Sequence, residues 1–231
     1  LVTFGFPCQD LSTAGKRGGL SANRSSLFFE AIKIIQYKKP KYFIFENVKG
    51  IFSSNRGKDF EIVLQSIADI GYDGQWELCN TRWYLPQNRE RVYFVGHIRG
   101  ESRPKVFPLG ENVTEINNIE KKIEKVKSAA LRTWPRNSQM SDDEKAKRGK
   151  RLEIRKDGVA NTITTHQLDS VLFENTNIRR LTPVECERLQ GFPDGWTDGQ
   201  SDTQRYKQLG NAVSVPVVKA VMERLYETKT N

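Results

Sequence analysis

Thiols and imidazoles are scarce in this chain of 231 residues: Cys8, Cys79 and Cys186 are its only cysteines, and His97 and His166 its only histidines. Three cysteines without a C-x-x-C spacing write neither a disulfide framework nor a zinc site, so reduced thiols and no metal centre are expected. No run of about 18 consecutive apolar residues occurs, which excludes a spanning helix. The opening residues do not read as a basic-then-apolar leader, and a cytoplasmic location is the expectation. Acidic residues are outnumbered, 28 against 37 Lys and Arg, for a formal charge of +9. That excess favours a polyanionic partner and is equally compatible with a well-solvated enzyme. There is no internal repeat or low-complexity tract. A starting methionine is missing too: the chain opens in strand-like Leu-Val-Thr-Phe-Gly-Phe, from which a truncated N-terminus is expected. Residues 213–226 carry helix-period apolar residues and then fade into a polar tail, which reads as a natural C-terminus.

Residues 1–100 alternate short β-rich runs with helix-period segments, the habit of a parallel sheet covered by helices. Strands are expected over 2–6, 42–45 and 91–96, with strand-like residues at 76–80, and helices over 25–37 and 60–70. Between the first strand and helix, residues 10–23 form a loop with Gly15, Gly18 and Gly19 beside Lys16 and Arg17, expected to be mobile. Residues 101–177 have few strong apolar periods and read as a different module. Within them, residues 132–156 hold nine Lys and Arg against four acids, either a solvated surface or a phosphate-contacting face. A helix is expected from Thr182, a capping residue followed by Pro183 in the first turn and Glu185 placed to complete a capping box, to about Gln190.

Cys8 ends the first strand, at the sheet edge where open α/β folds place ligands, and a glycine-bearing loop leads away from it. Taken alone, it reads equally as a nucleophile or as a small buried hydrophobe. Cys79, in a strand-like run, and Cys186, in a helix, read as buried hydrophobes. Glu46 closes the next strand, so its carboxylate emerges at the same edge; among apolar neighbours such a carboxyl has a raised pKa and can donate a proton near neutrality. An isolated glutamate there more often caps the following backbone. In Gln87-Asn88-Arg89-Glu90-Arg91, alternation puts Gln87, Arg89 and Arg91 on one face, where guanidiniums can grip a base edge or phosphate, or bridge to a nearby acid.

Taken in order, the blocks Gly5-Phe6-Pro7-Cys8-Gln9, Glu46-Asn47-Val48, Gln87-Asn88-Arg89-Glu90-Arg91, Arg179-Arg180-Leu181-Thr182-Pro183 with residues 185–193, and Gly210-Asn211-Ala212-Val213 resemble those of the bacterial cytosine-5 DNA methyltransferase family. The resemblance covers everything except the variable residues 101–177. It implies an α/β fold, the C-terminal portion of a Rossmann-like methyltransferase sheet, with a smaller target-recognition domain. The division it implies is 1–100 for the catalytic part, 101–178 for the DNA-reading domain and 179–231 for a linker and returning helix.

By position, the resemblance makes Cys8 the nucleophile that adds to carbon 6 of cytosine, covalent catalysis that divides one hard step in two. Glu46 would hydrogen-bond ring nitrogen 3 and the exocyclic amine, Arg91 the base's carbonyl oxygen, and Arg89 would support the loop and the nucleophile. The target base must leave the duplex to reach these groups. Residues 10–24 resemble the lid over the flipped base, with Ser12, Lys16 and Arg24 as DNA contacts. Ala160-Asn161-Thr162-Ile163-Thr164 resembles the short Thr-Leu-type element of the reading domain, with Ile163 in place of Leu and Thr162 as a DNA contact. The methyl donor implied is S-adenosyl-L-methionine, with Pro7 and Leu27 near its methionine end and Asn211 and Ala212 closing its pocket.

The chain departs from the family at its front, because the glycine-rich turn that binds the donor has no counterpart after Leu1. The chain alone is therefore expected to be inactive, a missing N-terminal segment or a second chain supplying that site. Three other readings are a non-catalytic DNA-binding remnant, an RNA methyltransferase of the same branch, and, last, a thiol hydrolase. Retention of Cys8, Glu46 and Arg91 opposes the remnant, the sizeable segment after Gly100 opposes the RNA enzyme, and no histidine set to pair with Cys8 opposes the hydrolase.

Overall fold

The computed structural model describes residues 1–6, 27–101, 104–109, 127–133, 150–155, 157–164, 171–174 and 177–227. The chain forms two compact units, one of residues 1–79, 90–109 and 220–231, the other of residues 80–89 and 110–219.

The first unit holds β1 (Val2–Gly5), α1 (Leu27–Lys38), β2 (Tyr42–Val48), α2 (Lys58–Asp69), β3 (Tyr72–Asn80) and β4 (Glu90–Ile98). Its sheet runs β1-β2-β4-β3. β1 lies parallel to β2, with Val2 opposite Phe43 and Gly5 opposite Glu46. β4 lies antiparallel to β2, from Tyr42 opposite His97 to Val48 opposite Arg91. The parallel sheet expected from the alternating pattern is thus mixed. Residues 81–89, which join β3 to its neighbour β4, are too few for the crossover that a parallel pair needs. That pairing also carries β2 two residues past Glu46, which lies inside the strand rather than at its end.

Rings fill this unit. Phe43 and Phe94 stack at 6.0 Å, Phe45 and Phe94 at 4.9 Å, and Trp76 and Phe94 at 6.0 Å. Gly96 faces Phe43 in the β2–β4 register, and a Cβ there would lie 2.1 Å from the ring; only hydrogen leaves room for it. α1 buries Phe28, Ile32 and Ile35 at helical spacing, and ends where Lys39 takes a left-handed conformation with its N–H on the Ile35 carbonyl at 2.8 Å. Helix α2 buries Val63 and Ile67 on the same core, and its buried Asp59 accepts a hydrogen bond from the Ser54 hydroxyl.

The second unit contains a sheet ordered β6-β5-β7-β8, formed by β5 (Lys127–Thr133), β6 (Lys150–Ile154), β7 (Val171–Glu174) and β8 (Asn177–Arg180), with every pair antiparallel. Regular structure therefore exists inside residues 101–177, where apolar periodicity is weak. Helices α3 (Pro183–Gln190) and α4 (Asp202–Asn211) follow, then α5 (Val215–Glu227), whose residues from 220 on belong to the first unit. The capping box at Thr182 is formed: its hydroxyl accepts from the Glu185 N–H, and the Glu185 carboxylate accepts from the Thr182 N–H at 2.7 Å. Gly191 ends α3 with φ 84°, and a Cβ on it would press 2.7 Å from Pro216 Cδ. Ile163, Leu172, Leu181, Cys186 and Leu209 form the apolar cluster here. Helix α4 was not anticipated: its sequence, Asp-Thr-Gln-Arg-Tyr-Lys-Gln-Leu-Gly-Asn, buries only Leu209 and Gly210 and so has almost no apolar period to read. Among the described residues no helix is long and apolar enough to cross a membrane.

Candidate active site

The β1–β2 register sets Glu46 beside Gly5, three residues before Cys8 in the chain. The Asn47 amide fastens this corner by donating to the Phe6 carbonyl at 3.4 Å. From the next strand, Arg91 reaches back: its Nε stands 3.0 Å from Glu46 Oε1, with both side chains less than a fifth exposed. The surroundings of Glu46 thus differ from the apolar setting anticipated, since a guanidinium faces it. Arg91 also donates through Nη1 to the Glu90 carbonyl at 2.8 Å. The pair therefore offers a carboxylate and a guanidinium side by side, a donor–acceptor arrangement that suits a planar heterocycle carrying both kinds of group. Leu27 opens α1 with about half its surface exposed, 52%.

Arg89 has a different setting, inside the second unit and only 2% exposed. Its guanidinium donates to the carbonyls of Ile163 at 3.2 Å, Gly210 at 3.3 Å and Ala212 at 2.7 Å. Thr162 is anchored to the same segment, its hydroxyl donating to the Asn88 carbonyl at 2.6 Å. Around these bonds Asn88 N–H meets the Ala160 carbonyl at 2.9 Å, and Ala160 N–H meets that of Pro86 at 2.8 Å. Residues 86–89 and 160–163 are thereby laced together. Ile163 is buried, Ala212 half-buried and Asn211 exposed.

Glu46 and Arg91 are thus brought together in one unit, and Arg89, Thr162, Ile163, Asn211 and Ala212 in the other. Pro7, Cys8, Ser12, Lys16 and Arg24, with the loop 10–23 and His166, lie outside the described residues. Cys79 and Cys186 are buried thiols. Burial pushes both up, Cys186 to about 12, which keeps them protonated and unreactive at neutral pH.

Two buried carboxylates escaped the sequence reading, Asp59 on α2 and Glu187 on α3. Glu187, fully buried on α3, accepts from Thr197 N–H at 2.9 Å, Gly195 N–H at 2.7 Å, the Thr197 hydroxyl and Arg205 at 3.1 Å. Its spacing with Pro183, Cys186 and Gln190, all buried, is the signal that could have found it.

The fold defines a class first. The solved structure of the Dnmt2 methyltransferase of S. pombe matches 99% of this chain and 78% of its own, with a TM-score of 0.63 at 19% identity. That of the Entamoeba histolytica methyltransferase EhMeth gives 0.61 at 18% identity, covering 99% of this chain and 77% of its own. The architecture is that of the Rossmann-like methyltransferases. Residues 1–227 match the family described as C-5 cytosine-specific DNA methylase, and the chain belongs to that family. Among its relatives are the Type II methyltransferases M1.ScrFI of Lactococcus lactis subsp. cremoris, 36% identical over 98% of this chain, and M.NlaX of Neisseria lactamica, 32% identical over 97%. The chain spans 62% of the length of the first relative and 75% of the second.

Proposed function

We propose that this chain carries the catalytic and DNA-reading parts of an enzyme that methylates carbon 5 of cytosine in duplex DNA, with S-adenosyl-L-methionine as donor. The observation that carries the reading is the Glu46–Arg91 pair, 3.0 Å apart on neighbouring strands and in register with the segment that leads to Cys8. In this reading residues 101–178 form the DNA-reading domain, and the Type II names of the relatives support a restriction–modification setting, with the cytoplasm as its location.

The ring of cytosine is electron-poor at carbon 6. Addition of the Cys8 thiolate there forms a carbon–sulfur bond and drives the ring electrons toward carbon 5 and nitrogen 3. Glu46 holds a proton at nitrogen 3, and Arg91 donates to the carbonyl oxygen at carbon 2, so the charge pushed into the ring meets groups already in place. The bound donor supplies an electrophilic methyl group to carbon 5. A water molecule takes the carbon-5 proton, the carbon–hydrogen electron pair restores the double bond between carbon 5 and carbon 6, and the carbon–sulfur bond breaks to return the Cys8 thiolate. In the first unit Leu27, apolar and half-exposed at the start of α1, suits the methionine end of the donor by apolar contact. In the second unit Asn211, exposed at the end of α4, is a candidate for closing the donor pocket with Ala212.

A tritiated methyl-transfer assay on mixed-sequence duplex tests the reading, comparing the chain alone, the chain joined to the N-terminal portion of its 36% identical relative, and the joined form with Cys8→Ser. Label in the joined form that Cys8→Ser removes, by at least about 10⁴-fold, is the expected result. A joined form that folds, binds duplex and transfers nothing would refute it.

A further inference from the structure

Arg89 is buried, and its guanidinium donates to the main chain. It is spent on main-chain carbonyls of two separate segments, Ile163 on one side and Gly210 with Ala212 on the other. The second group closes α4, whose last carbonyls lack partners within the helix. A cation placed there both satisfies those oxygens and meets the negative end of the helix dipole. Its own backbone is pinned as well, the N–H on Asn80 Oδ1 at 3.1 Å and the carbonyl accepting from Thr81 at 2.9 Å. A planar fork with donors on two nitrogens can span three carbonyls, whereas the point charge of a lysine cannot.

From this geometry we infer that Arg89 is a positioning residue that couples DNA reading to donor binding. Thr162 and Ile163 belong to the reading element and Asn211 to the donor pocket only on the function proposed above, and the inference rests on that reading. Engagement of duplex at residues 160–164 fixes the Ile163 carbonyl; Arg89 passes that constraint to Gly210 and Ala212, and the backbone that carries Asn211 is ordered before the donor arrives. Arg89 touches neither base nor donor in this account.

Hydrogen exchange on this chain, with and without sheared plasmid duplex, tests it without any methyl transfer. Duplex should slow exchange over residues 160–164 and, through Arg89, at the Asn211 and Ala212 amides by about fivefold or more, the low end of couplings between linked sites. The Ala212 amide is suited to this because it closes α4 on the Gln208 carbonyl at 2.9 Å. In Arg89→Lys the slowing over 160–164 should persist while that at Asn211 and Ala212 disappears. If Arg89→Lys fails to fold, Thr162→Val, which removes the bond to the Asn88 carbonyl, should reduce the slowing at Asn211 and Ala212. Equal slowing in wild type and the folded variant overturns the inference, as does slowing confined to 160–164 in wild type; the DNA-reading proposal survives both. No slowing anywhere overturns both together.

Discussion

In the first unit half of the buried apolar cluster is rings, Phe6, Phe28, Phe43, Phe45, Tyr72 and Phe94, packed with isoleucines and valines. The second unit sets a small aliphatic cluster beside an arginine, a carboxylate and two glutamines that are all nearly inaccessible. The apolar interior draws its stability from area removed from water, is indifferent to pH, and is limited by volume. The polar interior gains less from burial and more from each donor meeting its acceptor, so it fixes backbone positions sharply and fails when one partner goes. That division suits the proposed roles. A rigid sheet holds Glu46 and Arg91 at a fixed spacing, and a hydrogen-bonded unit fixes main-chain segments that must meet ligands.

The largest expected effect lies in the polar unit. Glu187→Ala leaves the Gly195 and Thr197 N–H groups without their acceptor and removes one carboxylate from Arg205, which keeps Asp198 at 2.8 Å, and should cost about 2–5 kcal/mol in urea denaturation. In the ring-filled unit Gly96→Ala forces a methyl into the Phe43 ring and should cost about 1–3 kcal/mol, read the same way. If Gly96→Ala proved the more damaging, the contrast between the interiors would be wrong. Thr182→Ala removes one half of the capping box, at about 1 kcal/mol.

Acid sharpens the comparison most gently, because two of the three carboxylates it acts on, Asp157 and Glu185, are partly exposed. A hydrogen bond from Arg155 holds Asp157 at about 2, and one from Arg179 holds Glu185 at about 2. Burial pushes Glu187 up, but the donors of Thr197, Arg205 and Gly195 outweigh it and leave it lowered. All three sit in the second unit. Folded values below the ordinary 3.8 and 4.5 mean stability that is full above pH 4.5 and lost as pH falls toward 2. The second unit should therefore loosen first on acidification. Fluorescence of a Trp76→Phe chain, whose other tryptophans all lie in that unit, should change between pH 4.5 and 2 before the far-ultraviolet signal of the whole chain does. Coincident transitions would count against a difference in acid response.

Local pattern sufficed where a segment buries one apolar face. The spans expected for α1, α2 and β4 differ from those observed by one to two residues at each end, and the Thr182 capping box was readable from its letters. What escaped depends on distant partners. The antiparallel β4 follows from a short connection, α4 is held by carbonyl contacts and not by apolar period, and the interior place of Glu187 answers to a loop and helix that come later in the chain. At the site, the letters Gln-Asn-Arg-Glu-Arg place two arginines on one face without separating them. The structure divides them, Arg91 facing Glu46 and Arg89 turned to main-chain oxygens.

The most direct test of the central claim, thiolate addition by Cys8 to a cytosine held by Glu46 and Arg91, is covalent capture. Duplex carrying 5-fluorocytosine is incubated with the joined protein and the methyl donor, then resolved under denaturing conditions. Fluorine cannot depart as the carbon-5 proton does, so elimination of the thiolate is blocked and the protein should stay bonded to DNA. The account predicts a denaturant-resistant protein–DNA species that Cys8→Ser abolishes and that forms more slowly, by roughly 10²-fold or more, in Glu46→Gln. A species that forms equally well with Cys8→Ser, or none in a protein that binds the duplex, would contradict it.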